Sequence, residues 1–493
     1  MAKFCMNCGA QLEENAKFCM SCGTKVEEMA VPAAASAETA AAPAATTPEG
    51  TVAAPATAPV SYAAPKKKGK AGLIIGIAAG VVALVAVLAI LLGGGGGAAK
   101  KDDANNLFQD GMLLVGQDGL YGYVNEKGET VVPCRYVDAL DFSEGLARVT
   151  TESSYMGYIG TDGSYKIEPV FEECYKFSNG FAVAAEGGLS GFIKPNGEWL
   201  VPPTYNNGCG AFDELGFGRF MQDGKVGYLN SKGDVVIPAT YEWGEQFQEC
   251  GLAEVELGGK VGLIDTNGKM VVPTIYEDIA SFSDSGYAVV TANGMCGLIN
   301  TKGEQVVGTV YSYIGSVADN GLACASSDGY TYGYINAEGD EVIPFIYDDA
   351  MGFGKGDLAV VTVGDFEGYV NAKGEMVIQP QFKYAYSFGE EDYALVKVGD
   401  YYGIINKKGE FTVQPMYDDM WFPRNGRASF EQNGRWGYLD PANGEIIVPA
   451  TYDYVAYYYY DDGYTVVENG GYFGVLDMDG KMVVPTVYDY ISE

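Results

Sequence analysis

The sequence predicts an all-β repeat array carried behind a small N-terminal metal knuckle and a membrane-spanning helix. Three observations lead there. A glycine recurs at Gly122, Gly157, Gly191, Gly227, Gly262, Gly297, Gly333, Gly368, Gly403, Gly437 and Gly474, eleven times at intervals of 34 to 37 residues. An Asn or Asp three positions after it, as at Asn125 and Asp265, is followed by a second glycine, as at Gly128 and Gly268. A short β-branched run then ends in proline and an aromatic, as in Val271-Val272-Pro273 with Tyr276. A fixed period of this size marks one supersecondary unit stacked on copies of itself.

Four cysteines open the chain, in Cys5-Met6-Asn7-Cys8-Gly9 and Cys19-Met20-Ser21-Cys22-Gly23. Two Cys-x-x-Cys turns can set four thiolates tetrahedrally around one ion, with each glycine easing backbone amides toward the sulfurs. A segment spanning 1–28 cannot bury enough surface to fold alone, so a bound ion would supply most of its folding energy. Cys5, Cys8, Cys19 and Cys22 are therefore assigned as a structural zinc site, over iron in a four-cysteine site or a redox dithiol pair. These residues resemble the short zinc ribbon at the N-termini of many bacterial membrane proteins.

Residues 29–70 are dominated by Ala, Pro and Thr and end in Lys66-Lys67-Lys68-Gly69-Lys70. Proline at that density blocks helix and the small side chains bury little, which predicts a disordered tether. Residues 71–92 are uncharged and almost wholly apolar. At 1.5 Å per residue they would extend about 33 Å as a helix, close to the hydrocarbon thickness of a bilayer. A cleavable signal peptide is the competing reading, but the run starts too late and is too long. Four lysines precede it, while Lys100 and Lys101 are followed by Asp102 and Asp103, so the positive-inside rule places the N-terminus in the cytoplasm and the repeats outside. A reducing compartment would also protect the thiolates. A glycine-rich spacer, 93–106, leads to the repeats at 107–493.

The columns of the repeat read as structure. The residue two places after each anchor glycine is always aliphatic, from Val124 and Ile159 to Leu439 and Leu476, and is expected in the core. The Asx-to-glycine step suits a type I turn closed by a left-handed glycine, which makes the Asx column turn chemistry and not a ligand set. Proline marks a strand end or edge, because it cannot donate to a sheet. After a looser loop comes a Gly-Leu-Ala-x-Val strand, as at Gly145 to Val149. Each unit is thus expected to be a three-stranded antiparallel meander, and no helix of ordinary length is signalled beyond residue 100. Propellers usually have four to eight blades of four strands. Eleven units of three strands are therefore expected to form an open or superhelical array, with a propeller-like ring as the alternative.

The units resemble the WG repeats of bacterial proteins, in which Trp-Gly is followed by an aromatic or aliphatic pair, Asx, a glycine turn and Pro-x-x-Tyr-Asp. Tryptophan itself occupies its column only at Trp436. The resemblance implies an extracytoplasmic or surface-associated repeat module.

Composition narrows the function. The chain carries 31 basic and 65 acidic residues and no histidine, for a formal charge of −34. Residues 1–100 hold eight Lys and six Glu, leaving 23 basic against 59 acidic residues in the remainder. Such acidity argues against nucleic-acid binding, and the missing histidine removes the usual general base and His-containing triads.

Local candidates carry bland alternatives. Cys134, Cys174, Cys209, Cys250, Cys296 and Cys324 fall in different columns and are read as small buried hydrophobes, with an occasional disulfide next. Asp477-Met478-Asp479-Gly480 begins like a calcium loop, but Tyr488 stands where its closing Glu is required, so a hairpin turn is expected. Acids follow the aromatic column in seven units, including Glu242, Glu277, Asp348, Asp418, Asp453 and Asp489. They form either an acidic stripe or loop caps facing water, and the caps are favoured. The run Tyr452-Asp453-Tyr454 and Tyr457 to Tyr460 before Asp461-Asp462 serves either as contact surface or as sheet packing. No pair of acids breaks the repeat pattern as a glycosidase site would require. The expected function is non-enzymatic: a single-pass surface protein presenting a binding or scaffolding module to protein or cell-wall glycan. Transmembrane signalling is the alternative, and a glycan-active enzyme comes last.

Overall fold

The computed structural model describes residues 3–4, 11–12, 105–206, 208–355, 357–389 and 391–493. The chain divides into two compact units, Met1–Gly96 and Gly97–Glu493. In the first, Lys3–Phe4 pairs antiparallel with Gln11–Leu12. The tether expected at 29–70 and the membrane helix expected at 71–92 lie outside the described residues. Among the described residues no helix is long and apolar enough to cross a membrane.

The second unit is entirely β. It holds eleven sheets, ten with four antiparallel strands and one, Phe217–Gln222 with Lys225–Asn230 and Val235–Tyr241, with three among the described residues. Each sheet is built from consecutive strands, as in Asp138–Ala139, Leu146–Thr150, Met156–Gly160 and Tyr165–Phe171. The three-stranded expectation is corrected here. A two-residue strand opens the sheet, one residue after the aromatic that ends the preceding edge strand. The Gly-Leu-Ala-x-Val strand also belongs to the sheet that follows it in sequence, not the one before.

The open array is corrected as well. Tyr490–Ile491 at the C-terminus pairs with Met112–Gln117, with Val115 opposite Ile491 and Gly116 opposite Tyr490. This completes the first sheet with the last strand, and the eleven sheets form a closed β-propeller. The pairing covers the Met112–Gln117 edge that an open array would leave exposed.

The columns explain why each strand forms. All eleven aliphatic residues two places after the anchor glycine, Val124 through Leu476, are fully buried. The edge strand alternates, as in Thr130–Tyr136, where Val132 and Tyr136 are buried and Pro133 and Arg135 exposed. Pairing between the anchor strand and the edge strand shifts by two residues, from Trp436 opposite Tyr452 to Tyr438 opposite Val448. The resulting bulge places the proline where no ladder bond is needed. It also drives the edge backbone onto the glycine: a Cβ on Gly437 would overlap the Val448 carbonyl oxygen. The Asx turn forms as expected, with the Lys127 and Glu129 amides donating to Asn125 Oδ1 at 3.0 Å and Gly128 at φ +74°.

Adjacent sheets are joined by side chains that the sequence reading had not singled out. Directly after the anchor glycine, Tyr123, Tyr158, Tyr228, Tyr334, Tyr369 and Tyr438 are buried, and each hydroxyl donates to a backbone carbonyl beside the next short strand. The acceptors are Leu140, Tyr175, Glu245, Met351, Tyr386 and Ala456, at 2.5–2.8 Å. Burial drives these phenols well above their ordinary range, so they remain donors. The signal was present as Tyr in six of eleven copies of one column.

Candidate functional site

The acidic column turns out to be a set of caps. In seven seams the acid after the edge-strand aromatic accepts a backbone amide from the two-residue hairpin of the next sheet. Glu172 receives Gly188, Glu242 Gly258, Glu277 Gly294, Asp348 Gly364, Asp418 Asn433, Asp453 Gly470 and Asp489 Asp118, at 2.6–3.1 Å. Two turn amides pointing the same way form a small anion nest, which a carboxylate fills. The amides hold the Glu242 and Glu277 carboxyls below their usual range, helped by Lys225 at 3.3 Å and Lys260 at 3.2 Å. The loop-cap reading is thereby supported over a ligand-binding stripe.

Four units lack the acid, carrying Val137, Asn206, Ser312 and Lys383 instead. Two of these face longer turns that cap themselves. Thr151 bonds Ser153 and the Tyr155 carbonyl, and Asp328 Oδ1 accepts the Tyr330 and Thr331 amides at 2.8 Å.

The tyrosine-rich run divides between the two roles weighed for it. Tyr459 is fully buried against Tyr438, and Tyr460 packs on the core that joins the last sheet to the first. Asp462 accepts the Phe108 amide at 2.9 Å, and the Asp461 amide donates to the Asn105 carbonyl at 3.0 Å. Most of the run is therefore packing at the closure. Tyr457 differs, being 49% exposed with its ring 4.2 Å from Trp421, itself 39% exposed. Arg424 lies 4.4 Å from the Tyr458 ring.

Exposed aromatics concentrate nearby. Among the described residues, Phe366, Tyr384, Tyr386, Tyr401, Trp421, Tyr457 and Tyr472 belong to the last four sheets, against Tyr155, Tyr165, Tyr175, Tyr313, Tyr330 and, through the closing strand, Tyr490 in the other seven. Phe366, Tyr401 and Tyr472 begin anchor strands directly after hairpin turns. Tyr384 and Tyr490 open short strands. This grouping depends on single substitutions inside otherwise regular columns, which a column-by-column reading averages away.

The remaining candidates are structural. Asp477 Oδ1 accepts the Asp479 and Lys481 amides at 3.1 and 2.9 Å, which is the expected hairpin turn and not a calcium loop. All six described cysteines are free; Cys174 and Cys324 are buried as expected, while Cys250 is exposed. Burial raises the Cys174 thiol to about 11 and those of Cys209 and Cys324 to about 12, so they stay protonated near neutrality. One carboxyl stands near neutrality: Glu254 is pushed up to about 7 by burial, then by Asp278, Glu245 and Glu256.

Cys5, Cys8, Cys19 and Cys22 lie outside the described residues. The described pairing joins Lys3–Phe4 to Gln11–Leu12, segments that flank Cys5 and Cys8 in sequence, and four cysteines are a donor set that suits zinc. Among the described residues no group of three or more His, Cys, Asp or Glu could hold a metal ion.

Repeated sheets in a closed ring, locked by buried tyrosines and internal caps, define a repeat propeller of the kind that presents surface. The WG containing repeat model matches residues 121–155, 156–189, 191–225, 227–260, 262–296, 297–330, 332–365, 368–402, 402–436, 436–473 and 473–493, and the chain belongs to that family. A zinc-ribbon domain model matches residues 4–26, which include all four N-terminal cysteines. No curated protein matches the chain. Similar solved structures include a eukaryotic initiation factor, at 12% identity and TM-score 0.35, covering 78% of this chain and 96% of that one. Apo AztD from Citrobacter koseri matches at 14% identity and TM-score 0.30, covering 63% and 96%. BamB from Moraxella catarrhalis matches at 13% and 0.25, covering 52% and 92%.

Proposed function

We propose that the chain is a single-pass membrane protein whose extracytoplasmic propeller binds a protein or cell-wall glycan without catalysing a reaction, and whose N-terminal zinc ribbon is cytoplasmic and structural. The observation that carries the binding reading is the crowding of exposed aromatics into the last four units, centred on the Trp421–Tyr457 pair. Rigid amphipathic rings give large contact area at low entropic cost, and they dominate binding energy where they cluster. The regular acids are already committed to capping backbone amides, so they do not supply a reactive pair. Anchoring is supported by the uncharged run 71–92 behind its four lysines, and the zinc ribbon by its cysteine spacing.

The test is a screen of the full-length protein against cell-wall glycans and secreted proteins, repeated with Trp421→Ala/Tyr457→Ala. A ligand is expected whose affinity falls about tenfold or more in the double variant, with an unchanged circular dichroism spectrum. A ligand that binds the double variant equally well would contradict the assignment of the face.

A further inference from the structure

The seam between the Gly368 and Gly403 units breaks the capping rule. Its acid position holds Lys383, and the hairpin it faces, between Val398 and Tyr401, has the same two-residue form that carboxylates cap in other seams. Among the described residues no carboxylate reaches the Gly399 or Asp400 amide. Lys383 Nζ lies 3.7 Å from Asp400 Oδ1, a pair exposed on both sides and therefore weak enough to open toward a ligand. Lys397 sits beside it with Nζ 4.2 Å from the Tyr402 ring centre. Lys383 and the uncapped turn thus stand together on a strongly acidic domain.

The same seam carries a shallow depression of about 560 Å³, lined among others by Phe366, Gln381, Lys383, Tyr384, Val398 and Gly399. Its polar groups are the uncapped turn, Lys383 and two carboxylates, Asp365 and Glu367, of which Glu367 already accepts the Ala385 amide. Its apolar walls are Phe366 and Tyr384, each 50% exposed, and Val398 at 37%. On the opposite side, Asp348 Oδ2 takes the Gly364 amide at 2.7 Å and shows what group such a nest accepts.

We propose that this depression captures the C-terminal carboxylate of a peptide whose last side chain is apolar, a proposal that rests on the binding reading above and names one class of partner for it. The ligand carboxylate takes the place that Glu242, Asp348 or Asp453 fills in other seams, receiving the Gly399 and Asp400 amides and the Lys383 ammonium. The terminal side chain lies against Phe366, Tyr384 and Val398. Backbone nests are a recurrent means of holding a terminal carboxylate, and Lys383 supplies the charge that makes those hydrogen bonds strong.

The experiment measures fluorescence anisotropy of a labelled hexapeptide ending in Leu, as free acid and as C-terminal amide, with the full-length protein. The free acid is expected to bind saturably and about tenfold or more tighter than the amide. Lys383→Glu installs the acid found in seven other seams; it is expected to remove that preference and to raise Tm by capping the turn internally. Lys383→Met, which removes charge without adding a cap, is expected to weaken the free acid's binding without raising Tm. No saturable binding of the free acid, equal affinity for both peptides, or a preference that survives Lys383→Glu would overturn the proposal. None of these outcomes bears on the Trp421–Tyr457 face, which its own variant tests.

Discussion

The seam that closes the ring and the seams within it are made from the same parts, yet one joins residues at opposite ends of the domain. Asp489 takes the Asp118 amide at 2.6 Å as Asp453 takes Gly470 at 2.7 Å. A Cβ on Gly128 would overlap the Val483 carbonyl oxygen, and one on Gly163 would crowd the Val132 side chain. Asp462 takes the Phe108 amide at 2.9 Å as Asp213 takes the Phe247 amide at 3.1 Å, and Ser492 Oγ adds a bond to Asp141 at 2.8 Å. In both kinds of seam the inward carboxyls, Asp141, Asp462 and Glu493 at the closure and Asp213 within the ring, are raised by burial, whereas the exposed caps Glu242 and Glu277 are lowered by turn amides and lysines. Closure is therefore the same kind of seam, carried across the join between the last strand and the first.

Removing Tyr490 to Glu493 should break this equivalence with the largest effect. The deletion exposes Val115 and its neighbours in the closing core, takes away buried Ile491 and the Ser492 bond, and leaves Met112–Gln117 as an open edge. A loss of about 3 kcal/mol or more is expected in urea unfolding, together with concentration-dependent association through the new edge. An unchanged midpoint would mean that the short strand contributes little.

A smaller effect distinguishes one internal seam by pH. The column that sets Arg148 against Asp138 at 2.8 Å sets Glu254 among Asp278, Glu245 and Glu256. Because its folded pKa is raised to about 7, the folded state holds the proton more tightly than the unfolded one. Stability is therefore lost as pH rises from the ordinary carboxylate range through about 7. Glu254→Gln should raise Tm at pH 8 and leave it nearly unchanged at pH 4, read by thermal circular dichroism. An equal shift at both pH values would refute the electrostatic cause.

The contrast also explains how much could be read from residues alone. The anchor glycines, the aliphatic column and the Asx turns follow from local backbone chemistry, and each stands where its column predicts. The two-residue strands have no periodicity to detect, so the sheets looked three-stranded. Closure pairs Val115 with Ile491 across the whole domain. Its trace was the frame itself, which begins on a Gly-Leu-Ala-type strand and ends just after a Pro-to-aromatic exit. Lys383 could acquire meaning only once the structure showed that its column caps hairpins. The zinc ligands rest on cysteine spacing and the matching family model.

The central claim is ring closure, and amide hydrogen exchange of Tyr490 to Ser492 in the full-length protein tests it most directly. The Ser492 amide donates to the Leu114 carbonyl at 3.1 Å, and the Asp489 amide to Gly116 at 2.9 Å. Protection comparable to that of Tyr454–Val455, the corresponding strand one unit earlier, is the predicted result. Exchange at the rate of an unstructured terminus would contradict the closed ring.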